Sequence, residues 1–408
     1  MSFPAFTWKF LLCERRWRLN ETMRVTQCRG VIKSPSMRSR GNSGTPVRHR
    51  DAYGRDLGHT LDGLRKNVIE YDEATGRSGT MTGGPRSDAY GYNARSELVS
   101  ATTDGVGEYA YQYDDIGNRT TSLDLGTNRT YLANALNQYT SISNLNASVP
   151  SYERFVPEYD ADGNQTLVKT KTGIWQVSYN AGNRPVSWTC GAINLTMRFD
   201  RMGRRVEYLE TVADAETSAV ATNKHQRFVY DGYLCLQIVN ARTGVAEYAF
   251  EWDPTEPVAT RPMGMQRTGN WNLFYTHDGN KNVSELVYYQ RARGVAARDE
   301  YAPFGAVTVR TRGDNWGTLD FSSLNPYRFS SEFADDALGL VYYNYRHYDP
   351  VTGRWLSRDP IEETREVFAE KSRCTPVDRA EEHMIYYKPI RLTKIFGWDT
   401  QAVNEGRL

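Results

Sequence analysis

Aromatic anchors followed by polar turn-formers recur along the chain from about Tyr53 to Asp231. The anchors are Tyr71, Tyr92, Tyr113, Ala133 in a degenerate copy, Tyr159, Tyr179, Phe199 and Tyr230. They stand 21, 21, 20, 26, 20, 20 and 31 residues apart. Asp or Asn follows the anchor, as in Tyr113-Asp114, Tyr159-Asp160, Tyr179-Asn180 and Phe199-Asp200. Four places after most anchors stands a small turn residue: Ser96, Gly117, Asn137, Gly163, Asn183 or Gly203. In the Tyr71 copy the glycine, Gly76, comes one place later. The pattern predicts a strand ending in an inward ring, a side-chain oxygen capping a turn, and a positive φ that reverses the chain. One such unit cannot bury its own ring, so neighbouring hairpins must stack.

Beyond Tyr230 the strict period fades into longer alternating strands. Arg227 to Asp231, Leu234 to Asn240 and Glu247 to Trp252 read as a meander turned at Asp231-Gly232 and Arg242-Thr243-Gly244. Farther on, Asn325 to Pro360 packs Tyr327, Phe329, Tyr342, Tyr343, Tyr345, Tyr348 and Trp355 between the turn signals Leu338-Gly339 and Pro350-Val351-Thr352-Gly353. Val341 to Tyr348 reads as a single strand, and Gly353 to Leu356 as a short one pairing back on it. No helix of any length is predicted before residue 360.

The segment from Asn325 to Pro360 resembles the RHS core signature, and Tyr113-Asp114-Asp115-Ile116-Gly117-Asn118-Arg119 and Tyr159-Asp160-Ala161-Asp162-Gly163-Asn164 resemble YD repeats. Phe274 to Asn280 and Asp299 to Gly305 resemble the stations that lead into that core. The signature residues are Gly339, Tyr342, Tyr343, Arg346, Tyr348, Asp349, Pro350, Gly353, Arg354 and Trp355. The resemblance covers roughly residues 50 to 360. It implies an all-β fold of stacked β-hairpin YD repeats forming part of an RHS-type β-shell that ends in the core block. The expected divisions are a basic N-terminal segment (1–50), the YD-repeat array (51–232), the RHS repeat-associated core (233–360) and a variable tail (361–408).

Composition agrees with many short strands: 27 tyrosines and 33 glycines against 6 histidines. With 39% hydrophobic residues, the core is expected to rest more on rings than on Leu and Ile. A net charge of +1 gives no reason to expect specific nucleic-acid binding. No apolar run approaches the ~18–20 residues of a membrane span. Cys13, Cys28, Cys190, Cys235 and Cys374 form no CxxC pair, which argues against a disulfide framework or a zinc site. Residues 1–50 carry eleven Lys/Arg against Glu14 and Glu21. The apolar start, broken by Lys9, lacks a small-residue cleavage site and makes a poor secretory signal. Disorder, or a gene start outside the family's reading, is preferred there to a nucleic-acid-binding arm.

The chemistry is sparse. His277 and Asp278 are adjacent, with Asp253 and His347 elsewhere. A metal needs three or four converging ligands, so a turn-capping role is expected and no cofactor is implied. The resemblance implies self-cleavage beyond the core by an aspartyl-protease-like centre, beginning at the step Arg358-Asp359-Pro360. Two close carboxylates would then split acid and base roles. The second carboxylate is not identified, because Asp378 lies in an unmatched context and no second Asp-Pro follows. Whether the chain is an enzyme is therefore left open.

Three functions follow as expectations. The first is a structural shell segment of a bacterial RHS polymorphic toxin system, enclosing or presenting a C-terminal effector, in a truncated or orphan copy. The second is a cell-surface or wall-associated protein whose aromatic β-face binds glycans or proteins. The third is an autoprotease centred on Asp359. The family implies a secreted or surface location. Its implied partners are an effector, other RHS shell components, an immunity protein or the secretion machinery.

Overall fold

The computed structural model describes the strands Val47–Arg50, Asp56–Leu61, Arg65–Tyr71 and Ser78–Gly83, then residues 86–358 apart from short gaps at 146–152, 215, 218, 255–260, 268–270, 289–293 and 313–319. The basic segment before Val47, Gly76, Asp359, Pro360, the tail with Asp378, and Cys13, Cys28 and Cys374 lie outside the described residues. Cys190 and Cys235 are free thiols.

The described chain is a meander in which each strand pairs antiparallel with its neighbours in sequence. Eleven strands run from Val47–Arg50 to Glu153–Phe155, and fourteen from Glu158–Tyr159 to Val307–Arg312. A third sheet holds Phe333–Asp335, Leu340–Tyr343, Arg346–Asp349 and Arg354–Trp355. The fold is all-β, as the repeat pattern predicts. The one α-helix among the described residues, Phe321–Leu324, is four residues long.

One turn recurs. In the copy after Tyr113, the Asp114 carboxylate accepts from the backbone N–H of Ile116 and Asn118 at 3.0 and 2.8 Å. The Gly117 N–H closes the turn on Asp114 O, with Gly117 at φ +87°. The chain then slips register between Gln112 and Tyr113, so that Tyr113 faces Arg119. This is a tight turn followed by a left-handed residue and a bulge. Asn93, Asn134, Asp160, Asn180, Asp200 and Asp278 cap turns closed in the same way, and backbone bonds close another at Ala302 to Ala306. The period that fades in sequence after Tyr230 therefore returns in structure at residues 278–282 and 302–306. It is hidden because His277 stands at the anchor and Lys281, not glycine, takes the positive φ of 64°.

The anchor ring also explains why tyrosine is preferred over phenylalanine. Tyr113, Tyr179, Tyr230 and Tyr301 donate their hydroxyls to the carbonyls of Leu98, Gln165, Arg205 and Val283, at 2.8, 3.0, 2.9 and 2.6 Å. Each acceptor opens the strand that follows the preceding turn, so each of these four anchors ties one hairpin to the last. Trp252 does the same with its indole N–H on Cys235 O at 2.8 Å. Tyr179→Phe is expected to cost about 0.5–1.5 kcal/mol, because it leaves a buried carbonyl without its donor. Chemical denaturation of the variant checks this, and an unchanged midpoint would remove the tie.

The main core mixes rings with aliphatics: Trp175, Trp188 and Phe250 pack with Leu195, Met197, Ile238 and Leu286. The expected dominance of rings holds better in the smaller cluster of Leu98, Ala101, Tyr109 and Tyr111. One local expectation fails. Val341 to Tyr348 is not a single strand, since Asn344 takes φ 41° and breaks it into the hairpin Leu340–Tyr343 and Arg346–Asp349. Asparagine tolerates that left-handed region through local hydrogen bonding. The pairing of Arg354–Trp355 back onto Arg346–Asp349 is as the turn signal predicts.

Candidate functional site: a core block seated on a row of turns

The four-stranded core block meets the two large sheets along their turns. Arg354 donates to Asn118 Oδ1 at 2.8 Å and to the Asn137 carbonyl, with its guanidinium 4.5 Å over the Tyr139 ring. Gln165 N donates to Leu356 O at 2.8 Å. Arg184 donates to the Tyr345 carbonyl, and the Tyr345 hydroxyl meets that of Tyr233. At the turn 278–282, Ser330 N reaches Asn282 Oδ1 at 2.7 Å and Ser331 Oγ reaches Lys281 O at 2.6 Å. Tyr348 donates to Phe304 O at 3.0 Å. The side chains that the repeat leaves at its turns thus become the docking surface for the core signature.

Two arginines sink beneath that surface. Position six after the anchor points inward, being Leu98, Tyr139, Pro185 or Val283 in other copies and buried in each. In two copies it is Arg119 and Arg205. Arg119 donates to Val351 O at 3.1 Å and lies 3.8 Å over the Phe304 ring. A Cβ on Gly353, at φ +70°, would sit 2.5 Å from Arg119 Nη2, so this glycine leaves room for the arginine. Arg205 donates from Nη1 to Asp335 Oδ2 at 2.6 Å, with both side chains buried. The rings of Tyr342, Phe333, Phe228 and Tyr208 surround its guanidinium at 4.5 to 5.5 Å. Its backbone N–H donates to the Tyr342 hydroxyl at 3.0 Å. Asp335 is held near 2: its burial opposes ionisation, and the facing Arg205 charge outweighs that. His347 Nε2 lies 3.7 Å from the same carboxylate, too far for a hydrogen bond, and burial keeps the imidazole below its ordinary value.

The remaining signature residues are structural in their contacts. A Cβ on Gly339 would meet the Lys171 stem at 2.7 Å. Tyr343 packs edge-on to Trp355 and Tyr348, at 4.9 and 6.1 Å between centroids. Arg346 covers the Trp355 ring at 4.2 Å. Asp349 accepts from Val351 N at 2.9 Å and Thr352 Oγ1 at 2.7 Å, capping the turn at Pro350. Burial raises its carboxyl. Asp278 caps its turn through Asn280 N and Asn282 N, the role expected of it. His347 lies with Asp335, Trp188 and Tyr342. No group of three His, Cys, Asp or Glu suited to a metal ion occurs among the described residues. Arg358 is exposed on one side and lies against Gly163 on the other. Asp359 follows outside the described residues.

The residues missed from sequence are Arg119, Arg205, Asp335 and Glu332. The arginines carried a signal, a charge at a position that is apolar or aromatic in most other copies. The two acids carried none.

Comparison with known proteins bears on this architecture. No family model matches the chain. In the crystal structure of TcdB2-TccC3-Cdc42, the likeness covers 77% of this chain and 18% of that one, at TM-score 0.55 and 16% identity. The Tc holotoxin pore of Photorhabdus luminescens gives a TM-score of 0.54 over 78% of this chain and 18% of that one, at 15% identity. Those values establish a shared fold. Among curated proteins, 224 residues are 28% identical to the double-stranded DNA deaminase toxin A of Burkholderia cenocepacia, over 50% of this chain and 15% of the toxin.

The chain has an RHS-type YD-repeat fold.

It is also 25% identical over 288 residues to the tRNA3(Ser)-specific nuclease WapA of Bacillus spizizenii, covering 66% of this chain and 10% of the nuclease. Toxin subunit YenC1 of Yersinia entomophaga is 26% identical over 61% of this chain and 26% of the subunit. This chain thus spans between a tenth and about a quarter of the length of these relatives, a deaminase toxin, a tRNA nuclease and a toxin subunit. No helix among its described residues is long and apolar enough to cross a membrane.

Proposed function

We propose that the chain is a structural shell segment of an RHS toxin system, in which the array 51–232 and the core 233–360 enclose or present the variable tail 361–408 or an effector supplied with it. The observation that carries this is the seating of the core block on the turn row, fixed by Arg119, Arg205, Arg354 and Ser330. A surface committed to holding a cap on a repeat array is a scaffold rather than a catalytic cleft. The toxin and toxin-subunit relatives support the same reading. Partners are then other shell components, joined at strands such as Val307–Arg312, the last of its sheet among the described residues. Sedimentation of the full chain should give concentration-dependent masses above 46.5 kDa. A monomer at all concentrations, with saturable quenching of tryptophan fluorescence by glycans, would instead support the surface-binding reading.

Self-cleavage is a second reading, motivated by the position of Arg358 at the edge of the docked core, one residue before Asp359. Intact mass of the wild type and of Asp359→Asn checks it. Loss of a fragment of about 5 kDa from the wild type alone, the mass expected of 48 residues, supports it. Two whole chains of about 46.5 kDa end it.

A further inference from the structure

Three turns of the row end in asparagine: Asn118, Asn164 and Asn282. Each donates from Nδ2 to its own capping aspartate, at 2.8, 2.9 and 2.8 Å. Their Oδ1 atoms are acceptors at the edge where the core block docks. Two are filled from that block, by Arg354 Nη1 on Asn118 and by Ser330 N on Asn282. Asn164 has no accessible surface, and its Oδ1 has no hydrogen-bond partner. Buried carbonyl acceptors are rarely left in that state, because desolvation is costly without a donor.

The neighbouring glycine supplies the donor's location. The fourth turn position has positive φ in eight of the described copies, yet Ser96, Asn137, Asn183 and Lys281 occupy it in four of them. Backbone conformation alone therefore does not require glycine there. At Gly163, Gly203 and Gly305 close approach does. A Cβ on Gly203 would lie 2.6 Å from Arg184 Nη2, and one on Gly305 2.5 Å from the Phe329 ring. On Gly163 it would lie 2.8 Å from Arg358 Nε and 3.5 Å from Nη2. The bond from Gln165 N to Leu356 O fixes the backbone two residues before Arg358.

We propose that Gly163 and Asn164 form a guanidinium seat for Arg358: the glycine is its floor, and Asn164 Oδ1 accepts one of its N–H groups, as Asn118 accepts Arg354. The seat ties the chain leaving the core block to the turn at 160–164 and fixes where the Arg358–Asp359 peptide begins. It stands whether or not the chain cuts itself, and toward cleavage Arg358 acts as a positioning residue.

Modification of the full chain by phenylglyoxal, with adducts mapped by peptide mass spectrometry, tests the seat. Arg198, whose side chain is 76% exposed, supplies the rate for a free guanidinium. In the wild type, Arg358 is expected to label about fivefold or more slowly than Arg198, the factor corresponding to one net hydrogen bond. Asn164→Ala and Gly163→Ala should each bring Arg358 to the Arg198 rate while Arg354 stays slow. Gly163→Ala keeps the asparagine and its cap, so the result does not depend on Asn164→Ala folding well. Equal labelling of Arg358 and Arg198 in the wild type overturns the seat, as does slow labelling that persists in both variants. Intact mass of the same samples reports cleavage separately.

Discussion

Asp335→Ala is expected to destabilise the chain by about 3–5 kcal/mol, the cost of leaving a buried arginine charge without its partner. Arg205 cannot escape to solvent. Its guanidinium is enclosed by four aromatic rings, and its Nη1 contact with Asp335 Oδ2 is 2.6 Å. The rings contribute cation–π attraction but cannot replace a carboxylate beside a buried guanidinium. The double variant Arg205→Met, Asp335→Leu should recover most of the loss, because it removes both charges and leaves apolar volume in their place. Urea denaturation of the wild type, the two single variants and the double variant provides the measurement. Limited proteolysis adds a location: if the pair secures the core block, cleavage in the Asp335→Ala variant should begin between residues 325 and 358. A loss in the double variant equal to the sum of the two single losses would mean that the pair is not a coupled unit.

That pair shows where sequence stops being informative. The turns are local, since cap, reversal and bulge all lie within seven residues, and the same chemistry recurs at most of the described anchors. Asp114, Asp160, Asn180 and Asp200 therefore announce themselves. Docking of the core block is not local. Arg205 and Asp335 stand 130 residues apart: the arginine departs from the apolar residues usual at its position, but nothing local points to Asp335 as its partner. The signature residues were legible as a set. Their individual tasks were not: Gly353 makes room for Arg119, Gly339 for Lys171, and Arg354 reads two turns at once. Asn344 misled because its strand is aromatic and β-prone on both sides, while the left-handed kink depends on one residue. The return of the repeat at residues 278–282 was obscured for a similar reason, with lysine where glycine is customary.

The second large effect depends on pH. Glu332 joins the turn Phe329–Ser331 to the strand Phe333–Asp335, where its backbone N–H donates to Phe329 O at 3.0 Å and its carbonyl accepts from Arg328 N at 3.0 Å. Its side chain, only partly accessible, lines a cavity of about 30 Å³ with Arg205, Tyr230, Cys235, Tyr327 and Tyr342. Burial pushes the carboxyl from its ordinary 4.5 up to about 8. The other groups there do not titrate near neutrality. Burial takes Cys235 to about 12 and raises the tyrosines, Arg205 stays charged, and Asp335, on the far side of Arg205, ionises near 2. The folded state therefore holds a proton that the unfolded state releases between pH 4.5 and 8. Stability contributed by the neutral carboxyl is present in full below about 4.5 and is lost as pH rises to about 8. Each unit of that interval carries up to about 1.4 kcal/mol, less whatever the cavity's access to water recovers. His347 runs the other way: its lowered value makes stability fall as pH drops below the ordinary histidine range. Glu332→Gln keeps the shape and removes the titration. It should match the wild type at pH 4 to 5 and exceed it by at least about 2 kcal/mol at pH 8.5 to 9. Urea midpoints measured across that range decide the matter. Parallel pH profiles for wild type and variant would mean that Glu332 is solvated through the cavity and that core-block docking is indifferent to its charge.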